Sequence, residues 1–277
     1  MKTNPRALTA SMSSEERASR CLTIRALRAA LRKIEDRHRP RALLLDLDDT
    51  LLHHASAGRQ ALLRTMDTTG RAAHEDPGAA LTLWRELEKQ YFQQYLDGKI
   101  SFEEQRVRRV REFLQAHGET GLDRSRLLDW FEGYRLAYEQ SWRPFDDVKP
   151  FMDGVAGLVE APTLGVVTNG DHTQQAAKMA ALALTGLRLF TSSDIGARKP
   201  DPAIFLHACT ELGVAPGEAW FIGDNLEADA FGAAATGLRG VWLNRDGESD
   251  ENATPPRAAS LLDVLGWARR SSPSWHG

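Results

Sequence analysis

The feature of this sequence with the clearest chemical meaning is a pair of aspartates behind an apolar segment. Asp46 and Asp48 stand two residues apart directly after the apolar run Ala42–Leu45. An unbroken apolar run is typical of a strand buried on both faces of a parallel sheet, and open α/β sheets bind ligands at the carboxyl ends of such strands. Carboxylates at that place favour a hard metal ion, nucleophilic chemistry or both. A solvated acidic loop without chemistry is the open alternative.

Further polar residues follow other strand-like segments. Thr168 and Asn169 end one apolar run, where a hydroxyl and the N–H groups of a tight turn can bind phosphate oxygens. Asp224 follows another run, with Asp229 five residues further on. Lys199 precedes a proline that restricts its backbone and so helps to direct its ammonium group. An ordinary turn, helix capping and a solvated lysine remain the alternatives for each feature taken alone.

The elements that position these residues follow from the hydrophobic pattern. After the first apolar run, strand-like segments recur and helical segments separate them, which predicts an interrupted parallel α/β sheet. The predicted strands after the first are residues 163–168, a short one near 189–191, 219–223 and 240–243.

Between the first two strands the pattern changes to helical periodicity. Residues 81–95, 102–116 and 127–139 show it, and strand signals are scarce from residue 53 to residue 147. We therefore predict an α/β fold with a Rossmann-like parallel sheet core and an inserted helical cap domain. The predicted divisions are an amphipathic helical extension at residues 1–40, the core at residues 41–52 and 148–277, and the cap at residues 53–147.

Composition limits the possible environments and partners. The chain has 277 residues, 42% of them hydrophobic, and no stretch approaches the roughly 18 consecutive apolar residues of a membrane helix. The two cysteines, Cys21 and Cys209, form neither a disulfide framework nor a metal-ligand cluster, which favours a reducing, cytoplasmic location. We predict no membrane association, and either a monomer or a homodimer.

Charge is distributed unevenly along the chain. Residues 1–40 carry ten Lys and Arg against four Asp and Glu, so the remainder is strongly acidic although the net charge of the whole chain is only −3. An acidic domain argues against nucleic acid as the main ligand. Helical spacing in the basic segment predicts an amphipathic helix docked on the domain or on a partner subunit. An arm for nucleic acid or a membrane surface is the alternative.

Together, these motifs resemble those of the haloacid dehalogenase superfamily, whose members are mostly magnesium-dependent phosphohydrolases. The resemblance covers residues 40–267 and extends to a helical cap after the first motif. Within the superfamily, residues 191–205 and 223–245 look like the branch that contains N-acylneuraminate-9-phosphatase and pyrimidine-nucleotide phosphatases. The matching motifs are Asp46 to Thr50, Thr168, Lys199, and Asp224 with Asp229.

The resemblance implies a set of catalytic roles. Asp46 is the expected nucleophile, which forms an aspartyl-phosphate, and Asp48 is the expected acid toward the leaving oxygen and then the base toward water. Lys199 is expected to offset developing charge. The implied cofactor is Mg²⁺, held by Asp46, the backbone carbonyl of Asp48 and Asp224.

The remaining predicted site residues support the phosphate and the metal. Thr168, Asn169 and Lys199 are expected to bind phosphoryl oxygens. Thr50 and Asp229 are expected in an outer layer, where Asp229 orients Lys199 or a metal-bound water. Asp49 is expected to have only a turn or capping role.

The predicted function is a magnesium-dependent phosphatase, a phosphoric monoester hydrolase acting on a small phosphorylated metabolite such as a sugar phosphate or nucleoside monophosphate. A halide leaving group needs no protonation, and the superfamily's dehalogenases lack an acid at the position of Asp48, so phosphate chemistry is favoured. A phosphomutase or other phosphotransferase is the alternative, followed by a non-catalytic binding module.

Specificity is expected to lie in the cap. Val107, Val110 and Leu114 have helical spacing and are predicted to face the cap core. Arg106 and Arg109 flank that stripe and either bind an anionic substrate or, as nearby glutamates favour, form a salt-bridged surface. The cap aromatics are predicted to be mostly core.

Overall fold

The computed structural model describes residues 39–68, 76–247 and 255–270. The extension predicted at residues 1–40 lies outside these ranges except for residues 39 and 40. Cys21 also lies outside them. Cys209 is buried and free. Within the described residues, none of the helices has both the length and the apolar character needed to cross a lipid bilayer.

A six-stranded parallel sheet forms the centre of the fold and confirms the predicted fold class. The strand order is β3-β2-β1-β4-β5-β6, so the first strand lies in the middle and β2 and β4 pair with it on either side. The carboxyl ends of these three neighbouring strands therefore meet at one edge. The strands are β1 (Ala42–Leu45), β2 (Thr163–Thr168), β3 (Arg188–Thr191), β4 (Ala219–Gly223), β5 (Arg239–Leu243) and β6 (Arg257–Ala258).

Strand β1 is buried on both faces, as its uniform apolar sequence predicts. Leu43 and Leu45 pack into one hydrophobic cluster, whereas Ala42 and Leu44 pack into another on the opposite face. All four residues have no exposed surface. This alternation follows from the two-residue period of a strand, and a sheet covered on both faces needs apolar side chains at every position.

Helices cover both faces of the sheet. One layer contains α5 (Val148–Ala156), α6 (His172–Ala181) and α10 (Leu261–Arg269). The other contains α8 (Pro202–Leu212) and α9 (Gly232–Ala235). A single helical turn, α7 (Ser192–Ile195), follows β3.

The insertion between β1 and β2 forms a hydrophobic cluster of its own. It is built around aromatic side chains such as Trp84 and Phe113, and the predicted inward positions Val107, Val110 and Leu114 are all buried there. The sequence pattern predicted three of its helices but did not mark the first. These four helices, called the helical insertion below, are α1 (His54–Thr68), α2 (Pro77–Leu96), α3 (Phe102–Ala116) and α4 (Arg124–Glu139).

Two adjacent backbone segments connect the helical insertion to the sheet. The amide of His53 donates to the carbonyl of Arg143 at 3.0 Å, and the amide of Phe145 donates to the carbonyl of Leu51 at 3.1 Å. Because the chain leaves and re-enters the core side by side, the insertion is anchored within a few residues of Asp48.

Candidate active site

The structure brings three of the predicted site residues into direct contact below the sheet edge. Lys199 Nζ lies 2.5 Å from Asp46 Oδ1 and 2.7 Å from Asp229 Oδ1. All three residues are buried. Burial alone would lower the pKa of Lys199, but Asp229 and Asp46 outweigh it and raise the pKa above its ordinary value. Lys199 is therefore a fixed cation between two carboxylates.

Asp224 completes an acidic cluster with the same carboxylates. Oxygen atoms of Asp46, Asp224 and Asp229 lie within 4.8 Å of one another. Burial and the nearby acids Asp229 and Asp49 raise the pKa of Asp224 to about 7. Burial also raises the pKa of Asp46 well above its ordinary value despite the attraction of Lys199.

These raised pKa values mean that Lys199 does not neutralise the cluster. Buried carboxylates that must all be ionised at neutral pH require additional positive charge. Converging carboxylate oxygens are the donor set that hard divalent cations prefer. The cluster therefore fits a divalent metal ion.

Thr50 ties the first strand loop to the loop after β4. Its hydroxyl donates to Asp224 Oδ1 at 3.3 Å and accepts from the Asp224 amide at 3.1 Å. Thr50 has no exposed surface, and its carbonyl accepts from Arg245 at 2.9 Å. This side chain fixes the position of Asp224 relative to Asp46.

Local backbone geometry explains how Asp229 reaches the cluster. A Cβ atom on Gly223 would lie 2.1 Å from Asp229 Oδ2, so only glycine leaves room for this carboxylate at the end of β4. The segment Leu226–Phe231 forms a π-helical turn, a local geometry common at functional sites. Asn225 begins the turn: its side-chain Oδ1 accepts from the Ala228 backbone amide at 2.9 Å, and its backbone amide donates to Asp229 Oδ2 at 3.0 Å.

Asn169 binds the backbone of Lys199. Its Nδ2 donates to the Lys199 carbonyl at 2.9 Å, and its Oδ1 accepts from the Lys199 amide at 2.7 Å. The side chain predicted to bind phosphate is thus used to hold the lysine in place, and contact with a substrate would fall to the Asn169 backbone. Asp49 accepts from the Ala55 amide at 2.8 Å, so its side chain caps the start of α1.

Asp48 lies in a second network that the sequence did not predict. Lys178 Nζ lies 2.7 Å from both Asp48 carboxylate oxygens. Gln175 Nε2 donates to Asp48 Oδ2 at 3.2 Å and to the Thr168 hydroxyl at 2.9 Å. Burial raises the pKa of Asp48, but Lys178 and then His54 outweigh it and lower the pKa to about 2. Asp48 is therefore ionised in this arrangement.

Gln175 and Lys178 gave only a weak signal in the sequence. They lie three residues apart on α6, which begins just after the Thr168 turn, and both side chains are buried. A polar pair at helical spacing is ordinary on a solvated helix face. Only their burial beside Asp48 distinguishes them.

A cleft of about 160 Å³ lies between the helical insertion and the start of α6. Its wall nearest the sheet contains Asp48, Asn169 and Lys178, and its opposite wall contains residues of α3 and α4. His54 Nδ1 lies 2.6 Å from the Tyr138 hydroxyl and 3.8 Å from Asp48 Oδ1 at the junction of the two walls. The cleft gives a small molecule access to the Asp48 side of the site.

The fold and site together define an α/β protein with a buried acidic centre at the carboxyl edge of a parallel sheet, where the converging carboxylates fit a divalent cation. Residues 40–237 match the family model of the haloacid dehalogenase-like hydrolases, and the chain belongs to this family. The resemblance inferred from the motifs is thereby confirmed.

Similar proteins have also been identified by sequence and by structure. The chain is 29% identical over 240 residues to N-acylneuraminate-9-phosphatase of Mus musculus, which covers 82% of this chain and 92% of that protein. It is 27% identical over 240 residues to glyceraldehyde 3-phosphate phosphatase of Methanopyrus kandleri, with 81% and 97% coverage. The crystal structure of the haloacid dehalogenase-like (HAD) hydrolase YfnB of Bacillus subtilis, bound to magnesium, has the same fold, with a TM-score of 0.68 and 23% identity. The match covers 82% of this chain and 98% of that chain. The family and these relatives support the predicted enzyme class, phosphoric monoester hydrolase.

Proposed function

We propose that this protein is a magnesium-dependent phosphatase that hydrolyses a small phosphorylated metabolite, a sugar phosphate or nucleoside monophosphate, through an aspartyl-phosphate. The observation that carries the proposal is the buried cluster in which Asp46 meets Lys199 and two further carboxylates. The names of the similar mouse and archaeal proteins, both phosphatases of small phosphorylated compounds, support the same reaction.

Asp46 is the nucleophile in this proposal. One of its carboxylate oxygens bonds to phosphorus while the bond from phosphorus to the leaving oxygen breaks. The contact with Lys199 Nζ restrains the other oxygen and orients the carboxylate. Burial excludes competing water from this side of the site, since Asp46 is only 7% exposed.

Asp48 moves the protons in both steps. It gives a proton to the leaving oxygen, and it then takes a proton from the water that attacks phosphorus and releases Asp46 and inorganic phosphate. Lys178 holds Asp48 in the ionised form, which is the form that the second step needs. Because Asp48 is ionised before substrate binds, it must take up a proton from solvent before the first step, which requires its pair with Lys178 to weaken when the phosphoryl group enters. The second step then returns a proton to Asp48.

The residues that would hold magnesium are Asp46, the backbone carbonyl of Asp48, and Asp224. When bound, the ion would neutralise the phosphoryl oxygens and let an anionic nucleophile approach an anionic substrate. Thr50 would keep Asp224 in position through its two hydrogen bonds. Asp229 would act through Lys199, which it contacts.

Phosphoryl oxygens would be bound by Thr168, Lys199 and the backbone of Asn169. Gln175 directs the Thr168 hydroxyl by donating to its oxygen, which leaves the hydroxyl proton free to point at a phosphate. The preorganised amide clamp between Asn169 and Lys199 keeps the lysine from following a departing phosphate.

The predicted domain division is part of this proposal. The helical insertion would serve as the cap over a core formed by residues 41–52 and 148–277, with residues 1–40 as a separate extension. Its attachment beside Asp48 and the cleft between the two parts support that assignment. A cytoplasmic location and a monomeric or homodimeric state stay predictions.

The test is phosphate release from sugar phosphates, nucleoside monophosphates and p-nitrophenyl phosphate, with magnesium or with EDTA. We expect metal-dependent release by the wild type and none by Asp46→Asn. Asp153→Asn is the matched control, because Asp153 is exposed and forms a surface pair with Lys149. Substantial release by Asp46→Asn would refute the proposed mechanism.

A further inference from the structure

The cleft contains more cationic side chains than the proposed reaction uses. Four of its lining residues are cations, and three of them have acidic partners. Lys178 pairs with Asp48. The pairs in the helical insertion are those of Arg109 with Glu88, and of Arg135 with Glu132 and Glu139.

Arg106 is the fourth cation, and it forms no hydrogen bond or ion pair with any residue that the structure describes. Its Nε is buried and has no hydrogen-bond partner. The guanidinium lies 4.2 Å from the centre of the Phe102 ring and 5.0 Å from that of Phe131. Aromatic rings thus orient the group without neutralising it. Its two Nη atoms, unlike Nε, are not fully buried, so a ligand in the cleft can reach them.

The carboxylates nearest in electrostatic influence are used elsewhere. Asp171 caps α6 by accepting from the Gln174 amide at 3.1 Å. Glu132 accepts from Arg135 at 2.6 and 2.8 Å. Neither carboxylate is within ion-pair distance of Arg106, although both act on it from further away.

The surroundings of Arg106 also disfavour its charge. Burial lowers the pKa of this guanidinium, and the neighbouring cations Arg109 and Arg135 lower it further. A partly desolvated cation beside two other cations is relieved by an anion in the cleft. The planar guanidinium suits a carboxylate or a phosphate, because it can donate two parallel hydrogen bonds.

We propose that Arg106 binds a second anionic group of the substrate, a carboxylate or a second phosphate, while the phosphoryl group that is removed lies at Asp46. This inference rests on the proposed phosphatase function, which it deepens by naming the substrate class. Asp48, two residues from Asp46, lines one wall of the cleft and Arg106 lines the other, so one small molecule in the cleft would have an end toward each of them. Monophosphates without a second anionic group leave Arg106 without an anionic partner in the cleft.

The experiment compares substrate pairs that differ in one anionic group. The carboxylate pairs are 3-phosphoglycerate with glycerol 3-phosphate and 6-phosphogluconate with glucose 6-phosphate, and the phosphate pair is fructose 1,6-bisphosphate with fructose 6-phosphate. We expect wild-type kcat/KM to favour the more anionic member at least about tenfold in one pair, the effect of one charge-assisted hydrogen-bonded contact. The arm that shows the preference identifies the anion.

Variants then assign the preference to one residue. Arg106→Gln should lose about ten- to a hundredfold in kcat/KM on the more anionic substrate, mainly through KM, and change little on the member of the pair that lacks the second anionic group. Arg106→Lys should restore part of the loss. Arg108→Gln is the matched control, because Arg108 lies on the same helix and forms a surface pair with Glu104. Equal losses on both members of a pair, or phosphate release without preference in every wild-type pair, overturn the inference.

A binding measurement separates this inference from the proposed function. Calorimetric titration of the more anionic compound of each pair into Asp46→Asn and into Asp46→Asn/Arg106→Gln measures binding without turnover. If the wild type releases no phosphate from any compound but binding still depends on Arg106, the phosphatase proposal fails and the anion site stands. If turnover is normal and binding does not depend on Arg106, only the anion site fails.

Discussion

Replacing Lys178 by methionine should destabilise the protein by about 2 to 3 kcal/mol at pH 7. Lys178 is only 2% exposed, and its Nζ contacts both oxygens of Asp48. Burial of Asp48 favours its neutral form, yet Lys178 and His54 bring its pKa down to about 2. A native pKa near 2 against about 3.9 in the unfolded chain corresponds to about 2.6 kcal/mol of stability. Because Asp48 is 28% exposed at its side chain, solvent screening removes only part of this value.

The sign of the effect follows from the direction of the shift. A lowered native pKa stabilises the folded state above the unfolded pKa of about 4, and this stabilisation is lost as the pH falls toward about 2. Without Lys178 the remaining burial raises the pKa of Asp48, so the variant at neutral pH contains a buried carboxylate without its counterion. The variant should therefore have a lower free energy of unfolding than the wild type at pH 7. Between about pH 4 and pH 2 it should lose less stability than the wild type.

The assay is urea-induced unfolding in the presence of EDTA, monitored by tryptophan fluorescence. Wild type, Lys178→Met, Asp48→Asn and the double variant form a double-mutant cycle, and we expect a coupling energy of about 2 kcal/mol at pH 7. Lys149→Met is the control, because Lys149 is 83% exposed and pairs with Asp153 at the surface, so it should change the free energy of unfolding by less than about 0.5 kcal/mol. A coupling energy near zero would show that Lys178 does not hold Asp48 ionised.

Two further outcomes test the acidic cluster and its proposed metal binding. Gly223→Ala should displace the carboxylate of Asp229, since its Cβ would lie 2.1 Å from Oδ2. Phosphatase activity should fall, and the free energy of unfolding should fall by about 1 to 3 kcal/mol. Gly217→Ala, with open space around its Cβ, should behave as wild type in the same activity and urea assays. Magnesium should bind about tenfold more weakly at pH 6 than at pH 8, because Asp224, with a pKa of about 7, is mostly protonated at pH 6 and must lose its proton when the ion binds. Calorimetry at both pH values measures the two affinities. Affinities that do not depend on pH would contradict the prediction.

The sheet could be predicted because its signals are local. Each central strand is an unbroken apolar run, and the predicted bounds at residues 163–168 and 219–223 coincide with β2 and β4. Helix α3 was predicted at its observed bounds, since Ser101 caps it and its apolar residues keep helical spacing. Helix α1 was not marked, because its inward side includes small residues such as Ala57 and Ala61, which give a weak pattern.

Three neighbouring arginines show what sequence spacing leaves open. Arg106, Arg108 and Arg109 occur in one basic run, yet Arg108 forms a surface pair, the buried Arg109 pairs with Glu88, and Arg106 lines the cleft without an ion pair to any described residue. The partly exposed partner of Arg109, Glu88, is 21 residues away on another helix. No rule of local spacing predicts which of these arginines such a partner reaches.

The sequence alone determined the family, the parallel sheet and the residue types of the acidic centre, because parallel strands with short polar ends bring Asp46, Thr168 and Asp224 to one edge. Only the tertiary structure decided the charge state of that centre. The pairing of Lys178 with Asp48 joins residues 130 positions apart, and it depends on how α6 packs against the sheet. Burial and distance set the strength of electrostatic interactions, and both are properties of the packed chain, not of residue order.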